Sequence, residues 1–177
     1  MATQAERNQH RNDNLRRPDA ASVEHTLPIS MASHLRFAFL LKADSMNERK
    51  AIIPPEMEAV YKNIRYAPAI KVGNTIYVSG QIGRDKAMQL VEGHEAQIVQ
   101  AFENLKSVLA GAGASLSDVV DLTTFHTDMR DLSLFMQVRD RYLTTHPLPA
   151  WTAVGAHMLG GQPGYIIEIK AVAVTAT

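Results

Sequence analysis

Tyr77-Val78-Ser79-Gly80-Gln81-Ile82 decides the fold, because it is a β-type run interrupted by a Ser-Gly pair and the segments on either side fall into order around it. Upstream, Ile70-Lys71-Val72 and Thr75-Ile76-Tyr77-Val78 are joined by Gly73-Asn74, a two-residue turn of the kind hairpins use. Downstream of a polar loop, Ile98, Ala101, Phe102, Leu105, Val108 and Leu109 recur at helical spacing within residues 94–109, and Gly111 and Gly113 stop that helix. Residues 119–127 return to a strand, with Val120, Leu122 and Thr124 expected on one face and Thr123 and Phe125 on the other. Asp131 stands where it can cap a second helix with Leu134, Phe135, Val138 and Tyr142 as its apolar stripe, ended by Pro147 and Pro149. Two last β-type runs, 151–156 and 165–174, flank the loop Gly160-Gly161-Gln162-Pro163-Gly164.

Two strands, helix, strand, helix, two strands is an α+β order, and it predicts a single mixed β-sheet with two helices on one face. A chain of 177 residues has room for one core and no third layer, so the opposite sheet face needs cover from another subunit. Residues 1–50 are polar and rich in Arg, Asn, His and Ser, with one brief apolar patch around Leu35 to Leu41. They read as a disordered N-terminal extension, leaving 51–177 as the folded domain. Glu6, Asp13, Asp19 and Glu24 interrupt the basic residues there, against an organellar transit peptide.

Lys plus Arg number 18 and Asp plus Glu 18, so there is no basic field to hold a polyanion, and nucleic acid is not an expected partner. The absence of cysteine removes disulfides, thiolate ligands and a cysteine nucleophile together, and it fits a reducing, cytoplasmic location. No apolar run approaches the ~20 residues a bilayer span needs, so no membrane association is expected.

Taken with Pro149-Ala150-Trp151-Thr152-Ala153-Val154 and Ile167-Glu168-Ile169-Lys170-Ala171-Val172-Ala173, the opening stretch resembles the Rid family, also called YjgF, of imine and enamine hydrolases (deaminases). The resemblance runs from about Tyr66 to Val174. It implies a chorismate-mutase-like fold, a homotrimer whose sheets form an inner barrel, and small-molecule clefts between subunits; no cofactor is expected, and the isolated histidines support no metal site.

Glu168 lies among Ile, Val and Ala in the last strand and shares a face with Ile166, Lys170 and Val172. Read alone, it is a half-exposed edge carboxylate paired with Lys170; the resemblance makes it the catalytic acid/base that holds the hydrolytic water. Tyr66, Ser79 and Gly80 match ligand-binding positions of the family, a tyrosine lining the cleft and a pair giving a hydroxyl and a close backbone amide. Each has a plainer reading: a surface aromatic, a locally satisfied hydroxyl, and a bulge. Where imino-acid hydrolases of the family carry an Arg that forks onto the substrate carboxylate, this chain has Trp151, and Ala153 stands where cysteine is common. Trp has one donor and no charge, so an α-imino acid loses about 1.5–3 kcal/mol of binding, roughly tenfold or more in affinity. Trp151 also reads as a core or interface aromatic. Arg130, where the family often has Asn, offers a guanidinium from another wall of the cleft or is a surface cation paired with Asp128 or Asp131.

Other motifs fail. His94-Glu95 lacks the second histidine of a zincin helix, His126, His146 and His157 are isolated, and Gly111-Ala112-Gly113 follows a helix instead of a strand. The expected function is therefore hydrolysis of a small imine or enamine that is not a simple α-imino acid, in an inter-subunit cleft. The alternative is a non-catalytic trimer of the same fold that binds a small metabolite.

Overall fold

The computed structural model describes residues 48–176. Its elements are β1 (Arg49–Ile52), β2 (Ala69–Val72), β3 (Thr75–Ile82), α1 (His94–Gly111), β4 (Val119–His126), α2 (Leu132–Tyr142), β5 (Ala150–Gly155) and β6 (Ile167–Val174). The strands form one six-stranded sheet in the order β1-β2-β3-β6-β4-β5. All neighbours are antiparallel except β4 and β5, which makes the sheet mixed. The expectation of a disordered extension falls on residues outside the described range except 48–50. Arg49 and Lys50 open β1, a strand the sequence pattern did not mark.

The β2–β3 hairpin turns at Gly73-Asn74 with Val72 paired to Thr75. Gly73 has φ +55 while Asn74 stays negative, the two-residue turn with glycine first whose twist matches the strands. In α1 the six apolar residues read from the sequence are all buried, spaced so that they share one stripe. The helix ends in paired backbone bonds, Gly113 N–H to Ala110 O at 3.0 Å and Ala114 N–H to Leu109 O at 2.9 Å, with Gly113 at φ +74. This is the left-handed termination that glycine permits without a Cβ clash.

Both helices lie on one sheet face. Phe102 of α1 stacks on Phe135 of α2 at 5.9 Å and on Tyr142 at 4.7 Å, and this aromatic column sits in one core with Ile76, Val78, Leu122 and Ile169. The opposite face presents Tyr77, 51 % exposed, with Val154 and Val174, and stays open in a single chain.

Two local expectations change. The β4–β6 register shifts between Val119 and Asp121, so Val119 joins Leu122 and Thr124 on the buried face while Val120 bulges outward and is exposed. Asp131 precedes α2 but caps nothing with its side chain. The capping carboxylate is Asp128, which accepts from Arg130 N–H at 2.9 Å and starts the 3-10 turn Met129–Asp131 that runs into α2; Asp131 instead lies 2.8 Å from His94 Nδ1.

Phe102 is fully buried at the centre of the aromatic column. Phe102→Ala should lower unfolding free energy by about 3–5 kcal/mol in urea titrations, whereas Lys106→Ala on the exposed face of α1 should stay within about 0.5 kcal/mol. A loss below about 1 kcal/mol for Phe102→Ala would show that the helix layer can collapse around the missing ring.

Candidate functional site

β6 is the central strand of the site, flanked by β3 and β4, so Glu168 is not at a sheet edge. Alternation sends Ile167, Ile169, Ala171 and Ala173 into the helix-side core and Glu168, Lys170 and Val172 to the other face. Glu168 is paired in register with Ile82 on β3 and Phe125 on β4. Ile82 belongs to a small second cluster with Leu159 and Tyr165, against which Phe125 packs. The carboxylate therefore stands at the rim of an apolar patch.

Space for it comes from Gly80. Between Val78 and Gln81 the β3–β6 register slips, placing both Ser79 and Gly80 opposite Lys170. A Cβ on Gly80 would fall 1.8 Å from Glu168 Oε1, so the carboxylate occupies the volume that any side chain at residue 80 would need. Bulge and close approach are two aspects of one feature here. The bulge is pinned on both sides: Ser79 N–H donates to Pro68 O at 2.9 Å, Ser79 Oγ to Ala67 O at 2.8 Å, and Gln81 Nε2 to Ser79 O at 2.9 Å.

Among the described residues no donor satisfies the Glu168 carboxylate, and no ion pair joins it to Lys170. Burial, unrelieved by a donor or cation, pushes its proton affinity above the ordinary carboxylate value. A carboxylate in that condition takes and returns a proton more readily than a paired one.

Tyr66 lies in the segment whose next two carbonyls hold Ser79, and it is 37 % exposed. The structure thus places Tyr66, Ser79, Gly80 and Glu168 around one bulge. Arg130 and Trp151 stand apart from it. The Arg130 side chain is 90 % exposed and ion-paired with Asp128, whose carboxyl that guanidinium holds down to about 2. Trp151 pairs with Leu122 across β4–β5 and points to the helix side, away from the face that carries Glu168 in the same chain. Its indole N–H donates to Thr124 Oγ1 at 2.9 Å, one ring face stacks on Phe135 at 5.5 Å, and the Arg139 guanidinium lies 4.6 Å from the ring centre. Thr124 Oγ1 is also 2.9 Å from Nε2 of buried His126, whose proton affinity burial lowers despite the nearby Asp131. Donation of the threonine hydroxyl to that nitrogen satisfies both groups with His126 neutral.

Gln97, in the first turn of α1, was absent from the sequence reading. It is 4 % exposed, donates Nε2 to Gly164 O at 2.9 Å and accepts from Ile166 N–H at 3.0 Å. Its signal in the sequence was an amide one residue before the buried Ile98, on the inward side of an amphipathic helix. Among the described residues no cluster of three or more His, Asp or Glu is placed to hold a metal ion, and no helix is long and apolar enough to cross a membrane.

The family model described as Endoribonuclease L-PSP matches residues 57–175. The RutC family protein YjgH of Escherichia coli K12 is 36 % identical over 129 residues, covering 72 % of this chain and 96 % of that protein. A 2-iminobutanoate/2-iminopropanoate deaminase of Bos taurus is 38 % identical over 112 residues, covering 62 % of this chain and 79 % of that protein. The crystal structure of RidA from an Antarctic Psychrobacter is 36 % identical with a TM-score of 0.64, over 71 % of this chain and 100 % of that one. With its mixed sheet, its two helices on one face and a family match that runs from residue 57 to the end of β6, the chain belongs to the Rid, or YjgF, family.

Proposed function

We propose that this protein hydrolyses a small imine or enamine, with Glu168 as the acid/base and the bulge residues Ser79 and Gly80, with Tyr66, lining the ligand side. The observation that carries the proposal is the half-buried Glu168 carboxylate seated over Gly80 with no donor from the described residues. Hydrolysis of a C=N bond needs water deprotonated as its oxygen bonds to carbon, and the nitrogen protonated as the C–N bond breaks. One carboxylate serves twice: it passes a water proton to the imine nitrogen as the C–O bond forms, giving a carbinolamine, and then passes the hydroxyl proton to the amine as C=O forms and the C–N bond breaks, ending ionised as it began.

The substrate we propose is not a simple α-imino acid. The indole of Trp151 spends its only donor on Thr124, and Arg130 is engaged by Asp128. Neither supplies a free guanidinium fork for an α-carboxylate. The reading also includes a homotrimer with clefts between subunits, supported by the open, partly apolar sheet face around Tyr77, Val154 and Val174. Light scattering should give three chains per particle, and a monodisperse monomer at micromolar concentration would remove the composite cleft.

Glu168→Gln keeps the shape and loses the proton transfer. It should abolish hydrolysis of a good imine substrate, about 100-fold or more in kcat, while ligand affinity stays within a few-fold. Full retention of activity would leave a small-molecule-binding trimer as the function.

Glu168 also makes a stability prediction that needs no substrate. Its folded proton affinity is raised, so the folded state binds the proton more tightly than the unfolded state does. Stability is then greatest below the ordinary carboxylate value and falls as pH rises through the raised one. Glu168→Gln should melt at a higher temperature than wild type at pH 7, with the gap narrowing towards about pH 4. A gap of the same size at every pH would show that ionisation of Glu168 costs the fold nothing.

A further inference from the structure

We infer that Gln97 is a positioning residue for Glu168: through one buried amide, α1 fixes where β6 begins and so where the carboxylate stands over Gly80. The inference rests on the reading of Glu168 as the acid/base, and extends it to a residue that touches neither water nor ligand.

Glu168 is the second residue of β6, and its position depends on how the chain enters that strand. The entering segment contains Gly160, Gly161 and Gly164, all with positive φ, and the backbone bond that joins it to β4 is Thr127 N–H to Ile166 O at 3.2 Å. Gln97 holds it from outside. The amide donates to Gly164 O and accepts from Ile166 N–H, gripping the chain on both sides of Tyr165, three residues before Glu168. The other strand beside the carboxylate is gripped from the same helix. A Cβ on Gly83 would come within 2.5 Å of Gln97 Cβ, so the Gln97 stem lies directly on the backbone leaving β3. Seven residues on, and hence on the same face of α1, Asn104 Nδ2 donates to Ile82 O at 3.0 Å and to Arg84 O at 2.8 Å. The backbone leaving Gly80 is therefore held by Asn104 and by contact with Gln97, while the backbone arriving at Glu168 is held by the Gln97 amide.

The chemistry at residue 97 is specific. One group must be donor and acceptor at once, at the reach of a glutamine, in a place closed to water. Methionine has the length and neither function. A carboxylate has the acceptor only. A protonated carboxylic acid has both.

The test uses the full chain with carboxyl-labelled glutamate, following the Glu168 resonance through a pH titration and assigning it with Glu168→Gln. In Gln97→Met the start of β6 loosens, more water reaches the carboxylate, and the titration midpoint should fall back towards the ordinary carboxylate value. If the hydrolase reading holds, kcat should drop about tenfold or more with KM near wild type, because a displacement of the reacting group acts on the chemical step. Gln97→Glu, which as a buried neutral acid can make both bonds, should recover most of the midpoint. Ile98→Val, a neighbouring core change on the same helix turn, is the control for general destabilisation: it should lower the melting temperature and leave the Glu168 midpoint in place. An unchanged midpoint in Gln97→Met, or an equal shift in Ile98→Val, overturns the inference. If Gln97→Met does not fold, Gln97→Ala takes its place: it keeps the Cβ that lies on Gly83, removes both bonds, and must show the same fall of the Glu168 midpoint. Because the midpoint is read without substrate, loss of the hydrolase reading through Glu168→Gln kinetics leaves this result to stand or fall by itself.

Discussion

A carboxylate in the interior of a six-stranded sheet needs volume, and the contact between Glu168 and Gly80 supplies it. Strand pleating puts Glu168 on the face opposite the helices, and cross-strand spacing brings its neighbours on β3 within a few ångströms. With an ordinary residue at position 80 the carboxylate would have to swing away. The bulge does the rest: the extra residue in β3 lets Ser79 turn its hydroxyl to Ala67 while Gly80 stays under the carboxylate. Register, bulge and missing side chain are thus one arrangement, and the high proton affinity of Glu168 follows from it.

The sheet's two faces divide the labour. One is sealed by the Phe102–Phe135–Tyr142 column and by the alternating aliphatics of β3, β4 and β6. Packing there gives the strands a fixed reference, and polar groups on that side, such as Gln97 and Asn104, transmit it to the loops at the site. The opposite face carries the candidate chemistry on a surface left open in a single chain. Covering that face with apolar surface would strip more water from Glu168 and raise its proton affinity further, so association and acid/base character act in the same direction.

Much of the fold was legible because its signals are local. The hairpin turn at Gly73-Asn74 and the 3.6-residue stripe of α1 each appear within a dozen residues. What escaped was set by partners distant in sequence. β1 is short and half-polar and becomes a strand only by pairing with β2; the outward turn of Val120 depends on a register slip against β6; and the role of Asp128 over Asp131 depends on which residue begins the turn before α2. The site was legible in part. Glu168 stood out as an acid in an apolar strand and Gly80 as a glycine after one, but that they touch is a tertiary fact. Gln97 gave almost no signal, since a glutamine near a helix start is ordinary until its two backbone partners, 67 and 69 residues away, are known.

Trp151 shows how closely a single side chain in β5 is bound to the helix layer. At this point in β5 an indole is held by three partners: Phe135 stacked on it, the Arg139 guanidinium over the ring, and Thr124 at its nitrogen. The arrangement is self-consistent, since Thr124 links the indole to the buried His126 and Arg139 is itself bonded to Asp140. Replacing the indole by a long cation would remove the ring that stacks on Phe135, take the indole donor from Thr124 Oγ1 and set a second positive charge beside Arg139. The surroundings of residue 151 are therefore built for an aromatic ring, and a carboxylate fork could not be introduced there by a single substitution without disturbing α2. Residue 151 is consequently tied to the packing of the helix layer, whereas the position of the Glu168 carboxylate is tied to the bulge in β3, and the two rest on separate sets of contacts.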